Sequence, residues 1–343
     1  MVKRRISLKD IAKELGVSIS TVSRGLKDHP DISHEMIVRI KDKAGSMNYS
    51  PNPLAMGLLR QETRMIGVIV PDLVTHFYSS IISGIEEYAK SQGYFILLAS
   101  SNESLVKEVE SVSNLLKARV DGMIVCLSKE TNRFDHFLQL TDNETPLVFF
   151  DRICLEGHVP SVVADNKDAV NRIIGHFHES GYKRIAFISG PPHLNISRDR
   201  IEGYRSGLEK CGLAFDPAML RPGSMQPEEA IRITDELLAL QNPPDAIFAI
   251  NDMVIFAVMK ELKKRGIKIP EEIGVVGFAD EFHATFSSPE LTTITHPTRE
   301  IGIKAAKLFF KRKEDPTFFE SIVLRTELVA RESSVRASKI VLP

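Results

Sequence analysis

Ile6-Ser-Leu-Lys-Asp-Ile-Ala-Lys-Glu-Leu-Gly-Val-Ser-Ile-Ser-Thr-Val-Ser-Arg-Gly-Leu-Lys27 is the stretch on which the reading of this 343-residue chain turns. Leu8, Ile11, Ala12 and Leu15 recur at i, i+3, i+4 and i+7, which lays one apolar stripe along a helix of about two turns. Ser7 stands where a cap is needed. Asp10, three residues on, can answer the free amides of the first turn and puts its charge at the positive helix end. Gly16 ends the helix, because it enters the left-handed conformation without a Cβ clash. Ser18 then caps a second helix, whose Val22 and Leu26 can pack back on the first. The unit reads as a helix-turn-helix.

The second helix of such a unit enters the DNA major groove, with its N-terminal residues at base edges. Ile19, Ser20 and Arg24 become the candidate readers. Arginine can fork to guanine O6 and N7, serine can donate or accept, and isoleucine can meet a thymine methyl. Thr21 and Ser23 are expected on phosphates, which fix position without reading sequence; the capping serines Ser7 and Ser18 count with the same surface. Ser33 caps a third helix running to about Met47, with Met36, Ile37, Ile40 and Ala44 facing the first two. Residues 1–64 hold 12 Lys/Arg against 7 Asp/Glu, a net +5 that leaves −6 for the remainder. The head can attract a polyanion and the body cannot.

Asp10-Ile-Ala-x-x-x-Gly-Val-Ser-x-x-Thr-Val-Ser-Arg24, followed by Asn48-Tyr-Ser-Pro-Asn52, Ala55 and Leu58, closely resembles the lactose/galactose-repressor family of bacterial transcription factors. The resemblance covers the whole chain. It implies a DNA-binding headpiece over residues 1–50, a hinge over 51–64, and an effector-binding and dimerisation core over 65–343. By family position Asn48 and Tyr49 also meet DNA, residues 54–60 form a hinge helix that orders on the operator, Leu58 is a wedge in the minor groove, and Ala55 allows close backbone approach. Alone, that segment is too short to hold as a helix, and Gly57 weakens it by up to about 1 kcal/mol against alanine. The resemblance further implies a homodimer on palindromic double-stranded operator DNA, repressing until a small molecule, a sugar or sugar derivative, binds between two lobes.

From Met65 the texture changes to apolar runs alternating with amphipathic stretches. Strands are expected at 65–70, 95–99, 122–126 and 147–150, with helices at 77–92 and 104–117 between them. The alternation restarts with a strand at 161–164, then helices at 166–180, 198–211, 228–240 and 252–265 and strands at 184–188, 246–250 and 274–278. Such alternation argues for βαβ units and parallel sheets covered on both faces. The fold class expected is an all-α headpiece plus an α/β core of two Rossmann-like lobes, similar to periplasmic binding proteins. The resemblance adds three crossings between lobes, giving a first lobe of about 65–162 plus 296–322 and a second of about 163–295 plus 323–343. Residues 298–310 then return to the first lobe, and a closing strand near 321–328 runs toward the second.

In open α/β sheets ligands lie beyond the carboxyl ends of strands. Residues there suit a polyol, whose hydroxyls need carboxylate, amide and guanidinium partners and whose apolar face needs an aromatic ring. Asp72, Asp151, Arg200, Asn251 and Asp252 are the expected polar contacts, and Phe77, Tyr78 and Phe278 the expected platforms. By family position Arg200 looks like the hydroxyl or carboxylate clamp, with Arg198 in an interlobe salt bridge. One departure stands out: after Val276-Gly-Phe278 the sugar-responsive relatives usually place an aspartate, but here Ala279 occupies that position and Asp280 follows. Either Asp280 takes over, or that corner makes fewer polar contacts. His296 is a further candidate. Asp165 and Asn166 are expected to cap the helix behind them.

The remaining signals narrow the class. Composition is that of an ordinary globular protein, 43% hydrophobic and 26% charged. Cys126, Cys154 and Cys211 are odd in number and widely separated, so a reducing cytoplasm is expected rather than a disulfide framework. The N-terminus carries no apolar signal segment and no run reaches membrane-spanning length. No phosphate-cradling glycine loop, nucleophile elbow, C-x-x-C or H-E-x-x-H spacing occurs, and His176 and His178, two apart, do not share a helix face. No catalysis, cofactor or metal is expected. Two alternatives stay open: the same regulator with a nucleobase or a protein co-effector, and a plain solute-binding protein.

Overall fold

The structure, a computed structural model, describes residues 6–47, 49 and 62–336. The chain divides into two compact units, Met1–Thr63 and Arg64–Pro343. The first contains α1 (Leu8–Leu15), α2 (Ile19–Gly25) and α3 (His34–Ser46). The Ser7 amide donates to Asp10 Oδ2 at 2.8 Å, and Gly16 ends α1 at φ 66°. Ser18 Oγ accepts the Thr21 amide at 3.0 Å and starts α2. Ile11, Ala12, Val22, Ile40 and Ala44 form the buried centre of the unit. Gly25 lets α2 lie directly on α3, since a Cβ there would stand 2.5 Å from Ile40 Cδ1.

The second unit runs β1 (Met65–Val70), α4 (His76–Ser91), β2 (Phe95–Ser100), α5 (Leu105–Lys117), β3 (Met123–Val125), α6 (Asp135–Asp142), β4 (Leu147–Phe150) and β5 (Ser161–Ala164). Next come α7 (Asn166–Glu179), β6 (Ile185–Ser189), α8 (Asn195–Lys210), β7 (Leu220–Pro222), α9 (Pro227–Leu238), β8 (Ala246–Ala249), α10 (Asp252–Lys264) and β9 (Gly274–Val276). The last elements are β10 (Thr293–Thr295), α11 (Thr298–Glu314), β11 (Ser321–Leu324) and β12 (Glu327–Val329). One sheet has the order β11-β5-β4-β3-β1-β2, a second the order β7-β6-β8-β9, and all their pairs are parallel. A short antiparallel pair, β10-β12, lies beside them. Central strands such as β1 and β8 are buried on both faces, as helices above and below a parallel sheet require.

Residues 298–310 return to the first lobe as expected. In α11, Ile301, Ala305 and Phe309 share a core with Ile66 and Val68 of β1. The return depends on close helix contact: a Cβ on Gly302 would lie 2.1 Å from Ile81 O, and one on Gly84 would lie 2.2 Å from Arg299 O.

Two boundaries differ from the sequence reading. The strand at 161–164, expected to open the second sheet, belongs to the first, between β4 and β11. The first lobe therefore runs through Ala164, two residues past the expected boundary. The single strand expected at 321–328 is two: β11 extends the first sheet, and β12 pairs with β10. Short buried parallel strands look alike in sequence, so long-range pairing, not local pattern, decides which sheet receives them.

Candidate functional site

On α2, Ile19, Ser20 and Arg24 are exposed while Thr21 and Ser23 are half-buried. Ser18 Oγ lies 2.7 Å from Ser20 Oγ and 2.8 Å from Thr21 Oγ1, so hydroxyls link across the start of the helix. Arg24 Nη1 lies 3.5 Å from Asp31 Oδ2 with both side chains more than half exposed, a water-screened contact that leaves the guanidinium available. Two of the expected DNA contacts also have local partners. The Ser7 hydroxyl bonds Asp10 Oδ2 at 2.6 Å. Tyr49 packs against the three-helix core, where burial pushes its phenol pKa up. Asn48, Ala55, Leu58 and the 54–60 hinge lie outside the described residues.

Within the second unit, residues from the strand ends of both lobes line a cavity of about 420 Å³. It contains Asp72, Phe77, Tyr78, Asp151, Arg200, Asn251, Asp252, Phe278 and His296, nine of the ten residues singled out from sequence. Two buried groups of opposite kind line it, the carboxyl of Asp151 at 5% and the guanidinium of Arg200 at 3% exposure. Arg200 donates from Nε to Asn166 Oδ1 at 2.8 Å and from Nη1 to Ile250 O, and lies 3.5 Å over the Phe278 ring. Among the described residues Nη2 has no hydrogen-bond acceptor. Burial pulls the Arg200 pKa down to about 10, still a cation at neutral pH. Asp151 takes only a long contact from the Cys126 thiol, 3.9 Å, and its pKa is raised, first by desolvation. The two do not form an ion pair with each other, although each feels the other's field.

His296 is edge-on to Phe77 with centroids 5.2 Å apart and tilted 5.1 Å from Phe278. Both its ring nitrogens are sealed from solvent without a protein partner. Burial, with Arg200 beside it, pulls its pKa down to about 3, so the ring is neutral. A neutral imidazole with two unused nitrogens offers one donor and one acceptor.

One expected contact is corrected, and others already carry local bonds. Asp280 does not replace the missing aspartate: Ala279 and Asp280 have φ of 148° and 55°, and this reversal carries Asp280 away from the cavity to Arg331 at 2.9 Å. Asp252 is a strut: its oxygens accept Thr293 Oγ1 at 2.9 Å and the Glu281 amide at 2.7 Å, and desolvation raises its pKa to about 6. Asn251 Oδ1 is spent on the Val254 amide, and Asp72 Oδ1 on that of Val74. Phe278 has one face covered by Arg200 and Tyr78 is buried in the first-lobe core, which leaves Phe77 as the more accessible ring.

Other side chains at or beside the cavity hold it together. Arg152 is buried and paired with Glu103 at 2.8 Å, whose carboxylate also accepts the Lys129 amide. Across the cleft, Lys129 Nζ donates to Ser224 O at 3.1 Å, and Asn195 joins the Ile153 amide to Asp151 O, both at 2.9 Å. Glu281 accepts the Phe77 amide, and Arg198 pairs with Glu156 at 2.6 Å. Arg152, Asn195 and Glu281 fall among the residues just past strand ends, where sequence points; Glu103 sits in a turn whose fold alone aims it, and sequence reasoning missed it. Among the described residues no three His, Cys, Asp or Glu side chains gather as a metal site, and no helix is long and apolar enough to cross a membrane.

A helix-turn-helix headpiece on the same chain as a two-lobed α/β core with a polar cleft defines a ligand-responsive DNA-binding regulator. Residues 7–52 match bacterial regulatory proteins of the lacI family, and residues 63–322 match periplasmic binding proteins and the sugar binding domain of the LacI family. The chain is 31% identical over 337 residues to the HTH-type transcriptional repressor CytR of Escherichia coli (strain K12), covering 98% of this chain and 97% of that protein. It is similar to the transcriptional regulator CelR–cellobiose complex, with 27% identity, a TM-score of 0.73, and 96% and 100% of the two chains covered. In fold it matches the lac repressor dimer bound to operator and the anti-inducer ONPF, with 23% identity, a TM-score of 0.85, and 97% and 100% covered. The protein belongs to the LacI family: it is a DNA-binding transcriptional regulator and not an enzyme.

Proposed function

We propose that this protein is a repressor that works as a homodimer on a palindromic operator and is controlled by a neutral carbohydrate held in the cleft. The carrying observation is the pair Asp151 and Arg200, groups of opposite kind buried on one cavity without bridging each other. A hydroxyl can donate to the first and accept from the second, so a polyol satisfies both without importing a charge that either would repel. Phe77, with His296 packed edge-on against it, offers a ring for the apolar sugar face. The cellobiose held by CelR supports the same class.

One short reading helix recognises too few base pairs for genomic selectivity, which supports two heads about one helical turn apart. The core has surface to pair through: the edge strand β2 leaves Phe95 76% exposed, with Leu97 and Leu98 beside it. An apolar sheet edge of this kind calls for a cover. Three unpaired cysteines suit a reducing cytoplasm.

Selecting bound duplexes from random DNA gives the operator. Titrating the complex with neutral sugars, sugar acids and purines then tests the effector. A change in operator affinity with neutral sugars alone is expected; a response confined to purines or sugar acids overturns the carbohydrate assignment.

A further inference from the structure

Arg200, the buried cation lining the cavity, is one residue from a knot that ties two of the lobe crossings together. Its Nε donates to Asn166 Oδ1 at 2.8 Å, and Asn166 Nδ2 donates back to Ala164 O at 3.3 Å. Asn166 is 2% exposed, so nothing in water replaces these bonds. The preceding residue, Asp165, lies on the crossing from β5 to α7. Its Oδ1 accepts both the amide and the hydroxyl of Thr326, at 2.9 and 2.6 Å, on the crossing from β11 to β12. Arg172 Nη2 closes the knot on Asp165 Oδ2 at 3.0 Å, Thr326 O at 3.0 Å and Thr326 Oγ1 at 2.6 Å. The Asp165 amide donates to Leu324 O at 3.0 Å.

We propose that Asn166 and the Asp165–Thr326 knot are positioning residues that convert movement of Arg200 in the cleft into movement of the crossings between lobes. The inference rests on the reading of the cleft as the effector site. A ligand bonded at the free Nη2 pulls on the guanidinium that Nε ties to Asn166, and Asn166 is covalently joined to the knot. Rotation of one lobe against the other changes backbone angles at these crossings, so groups that fix them there set how much of a ligand's binding reaches the headpiece. Thr326 touches no part of the cavity, yet it is the joint on which the response depends.

Two measurements on the full-length protein test this. The first needs no effector. Hydrogen exchange of peptides spanning 161–168 and 322–329 is compared among wild type, Arg200→Ala and Arg198→Ala, the last a control on the same helix. Faster exchange in both peptides for Arg200→Ala alone is expected, by about tenfold; unchanged exchange in 322–329, or equal acceleration by Arg198→Ala, overturns the relay whatever the effector is. The second measures operator affinity with and without the sugar that binds wild type from a set of glucose, galactose, xylose and cellobiose. Thr326→Val should keep sugar affinity within about threefold while the operator-affinity ratio falls at least about fivefold toward one, and Thr326→Ser should restore it. A ratio in Thr326→Val equal to wild type overturns the proposal. If none of the four sugars binds wild type, the carbohydrate reading fails and the exchange result still decides the relay.

Discussion

Glu281 Oε1 accepts the backbone amide of Phe77 at 3.2 Å, so a carboxylate from one lobe sits at the first turn of α4 in the other. The free amides and the dipole of a helix start favour an anion there by about 0.3–1 kcal/mol. Replacing Glu281 with alanine should loosen the cleft: effector affinity falls about two- to fivefold and small-angle scattering of the core shows a larger radius of gyration. Equal scattering and equal affinity would remove this contact from the account of closure.

Arg200→Lys keeps the charge and loses the shape. A lysine ammonium cannot serve Asn166, Ile250 O and the Phe278 face at once. The expected result is sugar affinity lower by about 10- to 100-fold, the range of one to two charged hydrogen bonds, with specific operator binding retained. Calorimetry beside a footprint reads both, and an unchanged sugar affinity would move the ligand elsewhere in the cleft.

Stability should fall on acidification because of His296. Its pKa is about 3 in the fold against 6.5 for the free side chain, so between those values the unfolded chain binds a proton that the folded one refuses. The fold is fully credited above pH 6.5 and loses about 1.4 kcal/mol for each unit below it. Asp252, raised to about 6 from 3.8, acts with the opposite sign as pH drops through that interval. Denaturant unfolding of wild type and His296→Phe at pH 8 and pH 5 separates the two, since only the histidine contribution differs. The variant is expected to lose up to about 2 kcal/mol less on going to pH 5; parallel losses would contradict the neutral imidazole.

Arg24→Ala should relax selection at one base pair of each half-site at a cost of about 1–3 kcal/mol, if the guanidinium forks to guanine. Binding-site selection with the variant reads this directly. A uniform loss over all sequences would instead make Arg24 a phosphate contact.

Local features carried the headpiece: the caps at Ser7 and Ser18, the turn at Gly16 and the stripe of Ile11 and Ala12 are interactions within a few residues, and sequence displays them. The alternation of strands and helices exposed two parallel sheets for the same reason. Membership of β5 and the division of 321–328 were not legible, because β11 pairs with β5 about 160 residues away while β12 pairs with β10 about 34 residues away, and no local pattern announces either. At the cleft, residue type located the cavity but not each side chain's task. Asp252 and Asn251 look like sugar contacts in sequence, and only the approach of Thr293, Glu281 and Val254 reveals that their oxygens are engaged. Asp280 was misread because two successive positive φ angles turn it outward, which no local pattern announced.

The six-stranded sheet is completed by β11 and covered by α11, both supplied from beyond residue 297. During synthesis on the ribosome, the lobe begun first therefore waits until residue 324 has emerged, while the β6–β9 sheet already has all its strands. A nascent chain holds the apolar faces of β1 and α4 without their cover for most of its emergence, a stretch in which a chaperone has something to hold. Release before residue 324 would leave that lobe unfinished, so a chain cut short between residues 297 and 324 should give an insoluble product rather than a shortened regulator.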